Sequence, residues 1–76
     1  MTMRVAMMWF ENDPKKTTNQ IIDEAVKYYE KKYEKKANCC IVNPKTITEE
    51  FQHGEIKVKI SKSILPLHYW IGRDQG

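Results

Sequence analysis

Apolar positions follow two patterns along this chain, and the contrast predicts its elements. Met3–Phe10 (Met-Arg-Val-Ala-Met-Met-Trp-Phe), Cys39–Val42 (Cys-Cys-Ile-Val) and residues 67–71 (Leu-His-Tyr-Trp-Ile) are short runs that turn apolar side chains to both faces of an extended strand. Turn chemistry closes each of them: Glu11-Asn12-Asp13-Pro14 after the first, Asn43-Pro44 after the second and Gly72 after the third. Residues 55–60 alternate strictly instead. Ile56, Val58 and Ile60 fall on one face, with Glu55, Lys57 and Lys59 on the other, which predicts a half-buried strand.

Between the first two runs the period changes from two to 3.6. Ile22, Val26, Tyr29 and Tyr33 recur at helical spacing, flanked by Ile21, Ala25 and Tyr28, while Lys27, Glu30, Lys31 and Glu34 fall mostly on the other side. Thr17 and Gln20 have capping-box spacing, in which each side chain satisfies an orphan backbone N–H, so an amphipathic helix of about 18 residues is expected to start there. Lys35 and Lys36 would favour the negative end of its dipole, and Asn38 would take the left-handed position that ends it.

A strand, a crossover helix and a second strand predict a βαβ unit with parallel strands. Residues 46–51 read as one helical turn, capped by Thr46 and Glu49, before His53-Gly54 reverses the chain. Residues 61–67, which include Pro66, read as a hairpin connection between the last two strands. The expected fold is a small two-layer α+β domain over residues 1–76. Its order is β-α-β-(short helix)-β-β, with one long amphipathic helix on a three- to four-stranded mixed sheet.

Composition narrows the partners. The chain has 76 residues, 41% of them apolar, which is the make-up of a folded chain with a thin core. Thirteen Lys and Arg against ten Asp and Glu give +3, too mild a bias for a dedicated nucleic-acid binder. The apolar run at residues 5–10 is too short for a signal sequence, and no stretch has the length of a membrane span. A cytoplasmic protein without membrane contact is expected. Cys39 and Cys40 are adjacent, so they point to opposite faces of a strand and cannot bridge without strain; two reduced core thiols are expected.

The candidate reactive groups do not combine into a motif. His53, His68, Cys39 and Cys40 are spaced wrongly for zinc, whose ligands usually come in pairs two to five residues apart. The same residues could supply a nucleophile and a base, yet no Gly-rich elbow or orienting third residue accompanies them. Ser61, Lys62 and Ser63 lack the glycines of a phosphate cradle. Lys27, Lys31, Lys32, Lys35 and Lys36 read as a solvated helix face, interrupted by Glu30 and Glu34 and with Asp23 paired to Lys27. No catalytic residue, metal or cofactor is expected, and an enzyme ranks behind two binding functions.

Met8-Trp9-Phe10 with Asp13-Pro14-Lys15, Cys40-Ile41-Val42-Asn43-Pro44, Ser63-Ile64-Leu65-Pro66 and His68-Tyr69-Trp70-Ile71-Gly72 together resemble segments of a family of short prokaryotic proteins. The resemblance spans most of the chain. It implies a stand-alone prokaryotic domain and carries over no activity and no site residue.

One helix covers only one face of a sheet, whereas three of the predicted strands are apolar on both. If Ile56, Val58 and Ile60 face the helix, Lys57 and Lys59 lie on the other face with one alternating set from the remaining strands. That set is Phe10 with Ala6 and Met8, or Trp9 with Val5 and Met7, together with Trp70 or Tyr69. Met8, Phe10, Tyr69 and Trp70 are therefore the candidate interface, and the expected partner is a second copy in a two-fold dimer. The alternative is a platform for single-stranded nucleic acid, with aromatics stacking bases while Lys57, Lys59 and Lys62 meet phosphates.

Overall fold

In the computed structural model, which describes the backbone of residues 3–74 and the side chains of residues 6–73, six elements follow one another. They are β1 (Met3–Phe10), α1 (Thr18–Tyr33), β2 (Cys39–Val42), β3 (Phe51–His53), β4 (Ile56–Ile60) and β5 (His68–Asp74). One helix lies on a mixed sheet of five strands in the order β1-β5-β2-β4-β3, so the expected α+β architecture holds with one strand more than predicted.

The capping box starts α1 as its residues predict. Gln20 N–H donates to Thr17 Oγ1 at 3.2 Å, and Thr17 N–H donates to Gln20 Oε1 at 2.9 Å. The helix stops earlier than expected, because Glu34 rather than Asn38 takes the left-handed cap, with φ 54° and its N–H donating to the Glu30 carbonyl. Lys35 and Lys36 consequently lie beyond the helix, and Lys31 and Lys32 occupy its last turn. Asn38 instead joins the sheet: its N–H donates to the Gly72 carbonyl at 3.0 Å and its carbonyl accepts from Lys57 N–H at 2.9 Å. Backbone pairing on both sides fixes that residue before its own turn preference can act.

β1 and β2 each pair antiparallel with β5, which makes them parallel to each other, as a crossover helix requires. They are not neighbours, however: β5 fills the slot between them, and the parallel neighbour of β2 is β4. Residues 61–67 are therefore no hairpin. They cross over the end of β2 from β4 to β5, and buried Asn43 clips them there, its Nδ2 donating to the Ile64 carbonyl at 2.7 Å while its Oδ1 accepts from Lys45 N–H at 2.8 Å. Gly72 does not end the last strand, which runs on to Asp74.

Residues 46–51 form no helical turn. Thr46 N–H closes a turn on the Asn43 carbonyl at 2.9 Å, and the chain then enters β3, where Phe51 pairs with Val58. Gly54, at φ 61°, supplies the left-handed first position of the two-residue β3–β4 loop. Ile47 and Phe51 pack against the main core, which joins Ile22, Ala25 and Tyr29 of α1 to Cys40, Val58 and Ile71 of the sheet. Burying each large aliphatic side chain there contributes roughly 1.5–3 kcal/mol. The segment between β2 and β3 thus thickens the helix side of the sheet.

Candidate interaction face

Strand register decides which residues share the face away from the helix. Met8 pairs with Trp70, Trp70 with Ile41 and Ile41 with Lys59, forming one row across four strands. The next row runs Ala6, Gly72, Cys39, Lys57 and Gln52, and Phe10 pairs with His68 beyond the first. Met8 is 51% exposed, Phe10 55% and Trp70 38%, whereas Tyr69 is 3% exposed on the helix side. The face therefore holds Phe10 with Ala6 and Met8, and Trp70 rather than Tyr69. Met7 and Trp9 belong to the core side, and the side chain of Val5 lies outside the described residues.

Along this face the chemistry changes from one edge to the other. The β1 and β5 portion is apolar and aromatic, with the Phe10 and His68 rings 5.0 Å apart and tilted by 53°. His68 keeps its ring oriented by donating from Nδ1 to the Pro66 carbonyl at 2.9 Å. The β4 portion carries Lys57 and Lys59. Lys62 is exposed on the connection beyond β4. Strand spacing puts Trp70 and Lys59 about 10 Å apart, so the two chemistries share one face without mixing.

Several residues of this region escape a reading of periodicity. Ile41 and His68 enter the face through register alone. Exposed Leu65 and Leu67 lie on the crossover, where Leu67 adopts φ 66°, a left-handed conformation costly for a side chain of its size. It is held there because its carbonyl accepts from Glu11 N–H at 3.1 Å.

The remaining candidate residues are scattered. Cys40 points into the helix-side core, and Cys39 is buried on the other face; neither forms a disulfide. Burial first, and the neighbouring Cys39 second, push the Cys40 thiol up to about 12, so it carries no thiolate at neutral pH. His53 sits in β3 with Nε2 2.8 Å from Asp23, the carboxylate expected to serve Lys27. Among the described residues no three His, Cys, Asp or Glu side chains cluster as metal ligands would, and no helix is long and apolar enough to cross a membrane.

A crevice of about 320 Å³ opens at the carboxyl ends of β1 and β2, lined by Glu11, Asp13, Lys16, Lys45 and Tyr69 among others. Its charges neutralise one another: Lys16 Nζ lies 2.8 Å from Glu24 and 3.2 Å from Glu11. Those hydrogen bonds, to Glu24 first, raise the Lys16 pKa. Asp13 is occupied by its own turn, accepting from Lys15 N–H at 2.9 Å. Tyr69 bonds Thr18, and its pKa is raised mainly by burial, then by Cys40 and Glu11.

Fold and face together define a small α+β domain whose sheet exposes Met8, Phe10 and Trp70 on the side away from the helix. No family model matches the chain, and no curated protein or solved structure matches it.

Proposed function

We propose that this chain is a self-associating protein-interaction module, in which the sheet face of a second copy that its helix does not cover supplies the missing layer. The observation that carries this is the neighbouring exposure of Met8, Phe10 and Trp70 on the β1 and β5 portion of the face away from the helix. Monomers rarely expose apolar patches beyond a few hundred Å². Burying ~600 Å² of apolar surface per subunit would contribute on the order of 15 kcal/mol before association entropy is subtracted. The chain alone is expected to have only ~4–11 kcal/mol of stability.

A two-fold arrangement centred on β1 and β5 lays the apolar portions against each other. It leaves Lys57 and Lys59 at the rim, where sheet twist of roughly 20° per strand carries them away from the opposing layer and into water. Buried cysteines at 39 and 40 that form no disulfide support a reducing, cytoplasmic setting. The test is the variant Trp70→Asp. It should keep its helical circular dichroism, because Trp70 lies outside the core, and lose association on the order of 100-fold. A variant that associates like the native chain contradicts the proposal.

A second reading has its own support, since Lys57 and Lys59 share a face with exposed Phe10 and Trp70. On a single-stranded nucleic acid the rings would stack bases, at about 1–3 kcal/mol each, while the lysines and Lys62 meet phosphates. Fluorescence anisotropy with labelled single-stranded oligonucleotides at low salt tests it. Binding that falls steeply as salt rises would favour this reading, and no binding at high protein concentration would remove it.

A further inference from the structure

We infer that the outer edge of β1 is a second self-association surface, pairing antiparallel with β1 of another copy about a two-fold axis at Met8. β1 ends the sheet: β5 bonds one of its sides, and no strand among the described residues bonds the other. An outer strand with unpaired N–H and C=O groups is a template for another strand, and proteins usually blunt it by shortness, charge, proline or a bulge. β3, at the opposite end of the sheet, has only three residues. β1 has eight, and its register irregularity is confined to the stretch between Met3 and Ala6. Beyond that point, residues 6–10 run in regular register as Ala-Met-Met-Trp-Phe, with no charge, proline or glycine.

This segment complements itself. A two-fold axis normal to the sheet keeps like faces together, so a residue can oppose only one of the same parity. Centred on Met8, the pairing sets Met8 opposite Met8, Ala6 opposite the second copy's Phe10, and Met7 opposite its Trp9. The smallest residue of the run meets the large ring on the open face, and only apolar residues meet. Centring on Met7 would instead set Arg4 opposite Phe10, and centring on Trp9 would set Met7 opposite Glu11. The Met8 register alone keeps the whole regular segment paired without a charge.

Edge pairing leaves both open faces on the same side, so the Met8, Phe10 and Trp70 patches of two copies merge across the seam. It rests on strand β1 and not on the face-to-face contact proposed above, and the two are compatible. Their axes are perpendicular, and together they close four chains into two continuous sheets packed face to face.

Amide hydrogen exchange of the full chain, read residue by residue by NMR at high protein concentration, tests the edge. In a strand, residues 6, 8 and 10 offer their N–H groups to one side and residues 7 and 9 to the other. An unpaired β1 shows alternating slow and fast amides, whereas a paired one shows all five slow, with the outward set protected at least ~100-fold over its unpaired rate. Alternation that persists in a self-associated sample overturns the edge inference and leaves the face proposal standing. The mass of Trp70→Asp gives the second arm. An edge-paired variant should hold at twice the 9.0 kDa chain mass, and a variant that falls to 9.0 kDa overturns the inference. Uniform protection with a mass unaffected by Trp70→Asp would instead support the edge and overturn the face. A native chain that stays at 9.0 kDa overturns both.

Discussion

The two ends of the sheet meet the same problem with opposite means. At the β4 and β3 end, the face away from the helix carries Lys57, Lys59 and Gln52, and the last strand has three residues, with His53 on its helix side tied to Asp23. Charge and shortness make that end tolerable in water without a partner. At the β1 and β5 end, the same face carries Met8, Phe10 and Trp70, and the last strand has eight residues. On the other side of the sheet, α1 and the segment carrying Ile47 and Phe51 build the core, so the contrast lies on the face away from the helix. It comes from the side chains each end presents: lysines and glutamine at one, methionine and aromatic rings at the other.

The sharpest way to break this comparison uses adjacent residues of β5. Ile71 faces the helix and is fully buried, so Ile71→Ala should cost about 2–5 kcal/mol of folding stability by denaturant unfolding. Trp70→Ala, one residue away on the open face, should shift unfolding of the dilute chain by less than about 1 kcal/mol and yet weaken association sharply. Equal destabilisation of the dilute chain by both would mean that Trp70 is core.

Cys40, on the strand between the two ends, tests how dry the helix side is. Its thiol is held near 12 in the folded chain against an ordinary value of 9.0. Above the ordinary value the unfolded chain loses this proton and the folded chain keeps it. Stability should therefore be complete below pH 9 and fall by about 1.4 kcal/mol per pH unit up to about pH 12. The part of that slope due to Cys40 should vanish in Cys40→Ala, measured by the same unfolding titration. An unchanged slope would mean that the site is wet.

Smaller effects are expected away from the apolar portion. Glu34→Gly relieves a left-handed cap without touching the sheet and should stabilise the chain by about 0.5–1 kcal/mol in thermal unfolding. Lys57→Glu combined with Lys59→Glu should leave the associated mass unchanged, since rim charges mainly alter association rates and salt dependence. Dissociation by this pair would move the interface to the basic end.

All the elements but β3 were legible, because each of those announces itself locally. The Thr17 and Gln20 cap, the helical spacing of Ile22, Val26 and Tyr29, and the alternation of residues 55–60 depend on no distant contact. The place of β5 between β1 and β2 could not be read this way, since a run apolar on both faces fits any interior slot and long-range pairing selects one. The same holds for residues 46–51, where Ile47 and Phe51 gain more from the core than Thr46 and Glu49 gain from a helical turn. The candidate face was legible only up to parity. Phe10 and Trp9, or Trp70 and Tyr69, exchange faces with a one-residue slip, and register alone chose Phe10 and Trp70. Leu65 and Leu67 left no periodic signal, because they belong to a crossover.

Sedimentation equilibrium of the native chain, from micromolar to millimolar concentration, bears most directly on self-association through the apolar end. The mass should rise with concentration to a whole multiple of 9.0 kDa, reaching at least a dimer in the micromolar range. A mass that stays at 9.0 kDa up to millimolar concentration would contradict the account and mean that Met8, Phe10 and Trp70 are tolerated in water or kept for a different partner.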